Sequence, residues 1–191
     1  MARTIVVAGV GLIPLRQTAD HAGYAAMGAQ AVRLALADAR AGYESVQQAF
    51  ASYGGGDSCA GQRVLYDIGL TGIPIVNLRS DGASALWLAR QAIVAGEAEI
   101  VLALGFEPAP AGAGRVGGAA AAVLCSEGYA RRHGLDTRVR IDGVELVDRA
   151  PTDEPLGYEG LAQCHQQVQQ LRGQPAWRVA GAAAVVTLYR N

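Results

Sequence analysis

Residues 74–107 of this chain read PIVNLRSDGASALWLARQAIVAGEAEIVLALGFE, and this stretch decides the fold. It begins with an apolar run that predicts a strand, continues through a glycine-containing turn into a run with helical spacing, and ends with a second apolar strand. Enzymes with this layout place a nucleophile at the turn, where the N-terminus of the helix stabilises negative charge. Here the turn carries Arg79, Ser80 and Asp81, and none of them is a thiol.

The rest of the chain continues this alternation of strands and helices. Asp20 is the predicted cap of the first helix. The predicted strands are 4–10, 46–52, 75–78, 100–104, 118–125, 139–147 and 182–189, and the predicted helices are 21–39, 61–68, 81–95, 126–133 and 160–171. This order predicts an α/β fold in layers, with a largely parallel sheet.

The composition excludes several classes of function. The formal net charge is −1, and every basic residue is arginine, so lysine Schiff-base and phosphate-loop chemistry are excluded. No basic cluster indicates binding to nucleic acid. Cys59, Cys125 and Cys164 are far apart, so we expect neither a metal site nor a disulfide framework, and this cysteine usage suits a reducing cytoplasm. Residues 1–15 are apolar but too short to span a membrane, and they lack the features of a signal peptide.

The sequence also suggests two related halves. Residues 108–118 (PAPAGAGRVGG) form a low-complexity run that predicts a flexible link. GGAAAAVLCS at 117–126 matches AGAAAVVTLY at 180–189 in length and pattern. We therefore predict that residues 1–126 form an N-terminal half without a loop domain. Residues 127–191 would form a reduced C-terminal half packed on it in a single compact unit.

Several runs resemble one known family. GDSCAGQRVLYDIGLTGIPIVN and GASALWLARQAIVAGEAEIVLALGFE resemble the first half of thiolases of the sterol-carrier-protein type, which include lipid-transfer proteins and acetyl-CoA acetyltransferases. PLGYEGLAQCHQQVQQLRG, followed by GAAAVVTLYRN, resembles the end of the same proteins. The resemblance implies a thiolase-like layered fold of α-β-α-β-α type with a truncated second half. Family members are much longer, which implies that a loop domain after Glu107 and part of the second half after Asp148 are missing.

The resemblance also implies that the catalytic groups have changed. Counting back from Gly82, the position of the family's nucleophilic cysteine is Arg79. The family's Gly-His-Pro-Leu-Gly pattern corresponds to residues 153–157, so the position of its histidine is Glu154. Because a guanidinium stays protonated and cannot attack a thioester, the resemblance implies a protein without the thiolase catalytic residues.

Neighbouring residues leave alternatives open. Ser80 is either a nucleophile or a residue of the helix cap, and Asp81 is either an acid/base or a cap stabilised by the helix dipole. Arg79 either pairs with Asp81 or binds an anion. Glu154 is either a general base or an exposed loop acid, and Cys59 is either a relocated thiol or a small packed residue. The candidate catalytic residues are Glu154, Asp81 and Ser80, with Tyr158 as a further acid/base, and the candidate substrate-binding residues are Arg79, Cys59 and Gly82.

The leading hypothesis is a thiolase-like protein that binds an acyl thioester, or supports a partner enzyme, in acyl, sterol or polyketide-type metabolism. The alternatives are an acyltransferase or retro-aldol lyase acting on CoA or carrier thioesters, and a structural subunit. We expect no metal and no cofactor, with a CoA thioester as the candidate ligand.

The missing second-half strands predict exposed sheet edges and exposed apolar helix surface. We therefore expect a homodimer that pairs through residues 74–78, or a heteromer. The heteromeric partner would be a larger thiolase-like protein or an OB-fold protein with a zinc ribbon. We expect no membrane span and a cytoplasmic location.

Overall fold

A computed structural model describes residues 3–17, 23–55, 57–107, 116–146, 157–173, 177–182 and 185–190. No helix in these ranges is long and apolar enough to cross a membrane. The elements in chain order are β1 (Ile5–Gln17), α1 (Tyr24–Ala39), a 3-10 helix (Tyr43–Ser45), β2 (Gln48–Tyr53), α2 (Ala60–Tyr66), β3 (Ile75–Leu78), α3 (Gly82–Ala95), β4 (Ile100–Glu107), β5 (Val116–Ser126), α4 (Glu127–His133), β6 (Arg140–Leu146), α5 (Glu159–Gly173), β7 (Trp177–Ala182) and β8 (Val185–Arg190).

The eight strands form one hydrogen-bonded sheet in the order β3-β2-β4-β5-β1-β6-β8-β7. Among the described strands, β2 is parallel to both of its neighbours, β3 and β4. The remaining neighbours are antiparallel. The predicted parallel sheet is therefore present only at one end, where helices α2 and α3 connect successive strands.

The sheet is narrow in the middle, where β1 meets β6. The pairing there consists of Ile5 with Ile141 and Val6 with Arg140, and the amide of Val7 donates to the carbonyl of Val139 at 2.9 Å. Helix α3 approaches both β2 and β7, although five strands separate these two in the sheet order. Because neighbouring strands are about 4.8 Å apart, a flat sheet could not place both strands beside one helix. The sheet therefore folds over α3 and α5 at the β1–β6 junction.

The result is a layered α/β fold, which confirms the predicted fold class. Residues from α1 and α2 pack on the outer face of the larger part of the sheet, in an apolar cluster that includes Val32, Val64 and Leu102. Residues from α3 and α5 pack on its inner face, in a second cluster that includes Leu86, Val101 and Leu161. Strands β7 and β8 lie against the other side of α3 and α5. The described residues thus form an α-β-α-β succession, and the outermost helical layer of the second half is absent from them.

The two halves of the sheet repeat one arrangement. The first half has strands in the order β4-β5-β1 and the second has them in the order β7-β8-β6, with antiparallel neighbours in both. Residues 18–81 lie between β1 and α3, whereas only residues 147–158 lie between β6 and α5. The second half therefore has no counterpart to the segment from α1 to β3. The predicted boundary after residue 126 stays a prediction.

Two predicted strands differ from the structure. The predicted strand 182–189 is wrong, because Ala182 ends β7, Val185 begins β8, and the two strands pair antiparallel. Strand β1 continues past Val10 to Gln17 because β5 pairs with it over that length. Pro14 is tolerated there because β1 has a described neighbour on one side only beyond Val7.

Two predicted local features are also different. Helix α1 begins at Tyr24, and Gly23 is its N-cap residue without a side-chain hydrogen bond. Asp20, the predicted cap, lies outside the described residues, as do residues 108–115 of the predicted link. The end of that link, from Val116 onward, belongs to β5. The prediction of exposed apolar surface is wrong for α5, whose exposed residues before its last one are Glu159, Gln166, Gln169 and Gln170.

Candidate functional site

The N-termini of the two central helices meet at one point. A Cβ atom on Gly82, the first residue of α3, would lie 2.7 Å from the carbonyl oxygen of Gly157 and 2.9 Å from the amide nitrogen of Leu161. A Cβ atom on Gly160, near the start of α5, would overlap the backbone of Ala83. No side chain therefore separates the two helix ends. This contact brings the turn before α3 next to the turn before α5.

The carboxyl ends of β2 and β4 form the floor beneath this contact. A Cβ atom on Gly157 would lie 2.6 Å from the carbonyl oxygen of Ser52 and would overlap the backbone of Tyr53. On β4, a Cβ atom on Gly105 would overlap the carbonyl of Gly157. The amide of Gly157 donates to Oε2 of Glu107 at 3.2 Å. Ligand sites of α/β proteins form at the carboxyl ends of parallel strands, so this is the candidate site.

Hydrogen bonds hold the turn that carries Arg79, Ser80 and Asp81. The hydroxyl of Ser52, which is fully buried, donates to the carbonyls of Ser80 and of Asp81, the latter at 2.6 Å. Oδ1 of Asp81 accepts from the amide of Ser84 at 3.0 Å and so caps α3. The hydroxyls of Ser80 and Ser84 lie 2.6 Å apart. Ser80 and Asp81 therefore both make the local contacts of a helix cap.

Arg79 and Cys59 lie near the phenol of Tyr53. The Tyr53 hydroxyl donates to the carbonyl of Ser58 at 2.9 Å. Burial raises the pKa of Tyr53, the positive charge of Arg79 opposes that rise, and Cys59 adds to it. Both Arg79 and Cys59 are exposed. The structure thus places a guanidinium and a thiol around one phenol at the end of β2.

The surroundings of Tyr53 are aromatic on one side and amide-rich on the other. The rings of Tyr24, Phe106 and Tyr53 stack in succession, with centroids 5.3 Å and 5.1 Å apart. Oδ1 of Asn77 accepts from the amide of Gly61 at 2.9 Å, which fixes the start of α2 to β3. Ring stacking and hydrogen bonds therefore hold the side chain of Tyr53 in place.

Comparisons with known proteins identify the fold. No family model matches the chain. The chain is 47% identical over 109 residues to sterol carrier protein 2 of Oryctolagus cuniculus, which covers 54% of this chain and 20% of that protein. It is 40% identical over 108 residues to non-specific lipid-transfer protein-like 2 of Caenorhabditis elegans, covering 54% of this chain and 26% of that protein. The chain thus spans about a fifth to a quarter of these curated relatives.

Solved structures agree with the sequence matches. Human mitochondrial 3-ketoacyl-CoA thiolase in complex with CoA aligns with a TM-score of 0.80 at 12% identity, covering 100% of this chain and 99% of that chain. Xanthomonas campestris OleA with bound lauric acid and lauroyl-CoA aligns with a TM-score of 0.62 at 15% identity, covering 91% of this chain and 75% of that chain. The chain thus has the thiolase fold, and about half of it is similar in sequence to sterol carrier protein 2.

The candidate site contains some of the predicted residues. Arg79, Ser80, Asp81 and Gly82 form the turn before α3, and the turn ending at Gly157 packs directly against them. Tyr158, predicted as a further acid/base, is almost buried at the start of α5. Glu154 lies outside the described residues, so its role as a base stays a prediction. The roles of Arg79, Cys59 and Gly82 in binding stay predictions as well.

The other cysteines and histidines of the described residues are Cys125, Cys164, His133 and His165. Burial raises the pKa of Cys125 and of Cys164 to about 12, so both are neutral thiols near pH 7 and poor nucleophiles. The ring of His133 stacks on Tyr129, with centroids 4.1 Å apart. His165 is half-buried, and burial lowers its pKa. Within the described ranges no three metal-ligating side chains come close enough together to hold an ion.

The sequence prediction missed three residues of this candidate site. Ser52, Tyr53 and Glu107 bind or contact the two turns, yet none of them was predicted as a site residue. Each of them lies at the carboxyl end of a strand with a parallel neighbour. That position is the signal that could have identified them, because functional groups collect at this end of a parallel sheet.

Proposed function

We propose that this chain binds fatty-acyl thioesters at the turn before α3 and does not cleave them. The observation that carries the proposal is the exposed guanidinium of Arg79 at the predicted nucleophile position, in the turn whose Gly82 packs against Gly157. A guanidinium stays protonated, so it can attract an anionic group of a ligand but cannot take up an acyl group. No cofactor beyond the thioester ligand is proposed.

The relatives support this ligand class. Sterol carrier protein 2 and the lipid-transfer protein are named for lipid ligands, and the two solved structures are described with CoA, lauric acid or lauroyl-CoA. The guanidinium of Arg79 offers a charge for the CoA phosphates or for a carboxylate.

Calorimetric titration with lauroyl-CoA, together with a thiol-release assay, tests this proposal. We expect the wild-type chain to bind lauroyl-CoA without releasing free CoA. Arg79→Ala should weaken binding about tenfold, because a charge-assisted contact of about 1.4 kcal/mol is lost. Arg131→Ala is the matched control, since Arg131 pairs with Glu127 on α4, away from the turn. Failure of the wild-type chain to bind any acyl-CoA would contradict the proposal.

Release of CoA by the wild-type chain would instead favour the enzyme alternative. In that case Asp81→Asn and Glu154→Gln should each abolish release, because these are the candidate acid/base groups. The position of Asp81 favours binding over catalysis, since its carboxylate already caps α3. A release rate that is unchanged in both variants would remove these two residues from the enzyme hypothesis.

We further propose that β3 pairs with a second copy of the chain. Among the described strands β3 has a neighbour on one side only, which leaves its outer edge available. Tyr66, Leu70 and Val76 are exposed around this edge, and Leu70 is 80% exposed. Exposed apolar side chains next to an unpaired edge favour association. Light scattering after size exclusion should show a dimer, and Val76→Lys should give a monomer.

A further inference from the structure

The hydroxyl of Ser52 fixes the backbone of the turn that carries Arg79. Ser52 is fully buried at the end of β2, and its single proton is shared between the carbonyls of Ser80 and Asp81. A buried hydroxyl with backbone acceptors constrains those peptide groups, because leaving them unbonded away from water is costly. The two carbonyls are consecutive, so the bond fixes the peptide plane at the point where the turn enters α3.

The turn that carries Arg79 interacts with residues on both faces of β2. Neighbouring side chains of a strand point to opposite faces, so Ser52 and Tyr53 extend to opposite sides of the sheet. Tyr53 packs in the outer apolar cluster, whereas Phe50, which shares the face of Ser52, packs in the inner one. The turn is therefore held by Ser52 from the inner face, while burial raises the pKa of Tyr53, whose ring lies on the outer face, and the positive charge of Arg79 opposes that rise.

We propose that Ser52 is a positioning residue, which holds the turn so that the guanidinium of Arg79 lies beside Tyr53 and faces the ligand. Its effect on ligand binding rests on the proposed function. Its effect on the turn does not, and it can be measured in the free protein. Ser52 makes no contact with the ligand itself in this proposal.

Hydrogen exchange of the free protein tests the first effect. Ser52→Ala should speed amide exchange in peptides covering residues 79–84 about fivefold, because a hydrogen bond to two backbone carbonyls is lost. Ser126→Ala is the matched control: Ser126 is also a buried serine, but it caps α4 and bonds Glu99. Equal exchange at residues 79–84 in the wild-type chain and Ser52→Ala would overturn the proposal. If Ser52→Ala does not fold, Ser52→Cys, which keeps the size and weakens the donor, serves for the same comparison.

A double-mutant cycle with lauroyl-CoA tests the second effect. Ser52→Ala should weaken binding about fivefold when Arg79 is present and leave it unchanged in the Arg79→Ala background. A merely structural role would weaken binding equally in both backgrounds, and that result would overturn the proposal. If the wild-type chain binds no lauroyl-CoA, the proposed function fails, while the exchange result still decides whether Ser52 holds the turn.

Discussion

The central helices α3 and α5 occupy matching positions in the two halves, yet their surfaces differ. Gly82 of α3 and Gly160 of α5 lie at the contact between the two helix ends. Residues of the two helices can therefore be compared by the number of positions that separate them from these glycines in the sequence. Helix α3 has a buried stripe of small residues that packs in the cluster containing Phe50 of β2. The stripe residues and their α5 counterparts are Ala85, Ala89 and Ala92 on α3, and Gln163, Gln167 and Gln170 on α5.

The surfaces of α3 and α5 differ because different parts of the chain cover the two helices. The α3 stripe lies against a first half that includes β2, whereas the second half has no counterpart of β2. A cleft of about 480 Å³ runs along α5, with Gln163, Gln166 and Gln170 among its lining residues. A glutamine side chain is compatible with exposure to water, whereas alanines at the same positions would form an uncovered apolar face. The sequence of α5 is thus suited to exposure along this cleft.

Gly160→Val should have the largest effect, because it breaks the contact on which the comparison rests. The added side chain would overlap the backbone of Ala83, which cannot move without shifting α3. We expect a loss of about 4 kcal/mol in the free energy of unfolding, measured by urea denaturation. Gly173→Val is the control, since no atom lies within 4 Å of a Cβ there. A stable Gly160→Val variant would show that the helix ends do not touch as described.

Exchanging one residue between the two stripes sharpens the comparison. Ala89→Gln should lower the free energy of unfolding by about 3 kcal/mol, because a larger polar side chain enters a fully buried position. The reverse change, Gln167→Ala, should change it by less than about 1 kcal/mol, because the buried Oε1 of Gln167 has no hydrogen-bond partner to lose. Equal losses in both variants by urea denaturation would mean that α5 is covered as fully as α3.

Much of the fold could be predicted from the sequence, because local signals agree with the tertiary structure there. Strand β3 has the predicted bounds, and Asp81 caps α3 as its position before a helical run suggests. The break between β7 and β8 was missed because an alanine run carries no turn signal. The role of Ser52 could not be predicted, since its acceptors lie 28 and 29 residues further along the chain. Contacts of this kind depend on which strand ends meet, and periodicity does not specify that.

The smallest of the three effects concerns how the end of α5 is anchored. Arg172 lies 2.7 Å from Oδ2 of Asp38 and 3.1 Å from Oδ2 of Asp136, and it donates to the carbonyl of Ala8 at 3.1 Å. The corresponding residue of α3 is Val94, which is partly exposed. Arg172→Met should lower the free energy of unfolding by about 2 kcal/mol at pH 7, because two carboxylates lose a largely buried partner. Arg131→Met, which removes an exposed pair, should cost less than about 0.5 kcal/mol.

Acid titration of the same variants provides a further check. Burial favours a higher pKa for Asp136, but hydrogen bonds from Arg138 and the charges of Arg172 and Arg138 outweigh it and hold the pKa below 3.8. A lowered pKa in the folded state means that the ion pair stabilises the protein fully above the unfolded pKa and is lost as the pH falls through the folded value. The difference between the wild-type chain and Arg172→Met should therefore shrink below about pH 3.8. A constant difference down to pH 2 would indicate that Arg172 acts through packing.

The position of β1 has a consequence for biosynthesis. Strand β1 precedes the other described strands in the chain and lies between β5 and β6, so Ile5 pairs with Ser126 on one side and with Ile141 on the other. During translation, β1 has neither neighbour until most of the chain has left the ribosome, while β2, β3 and β4 can already associate. Late pairing of distant strands slows folding and leaves strand edges unpaired in the meantime. The segment from Ile5 to Val10 therefore stays unpaired until β5 and β6 have been synthesised.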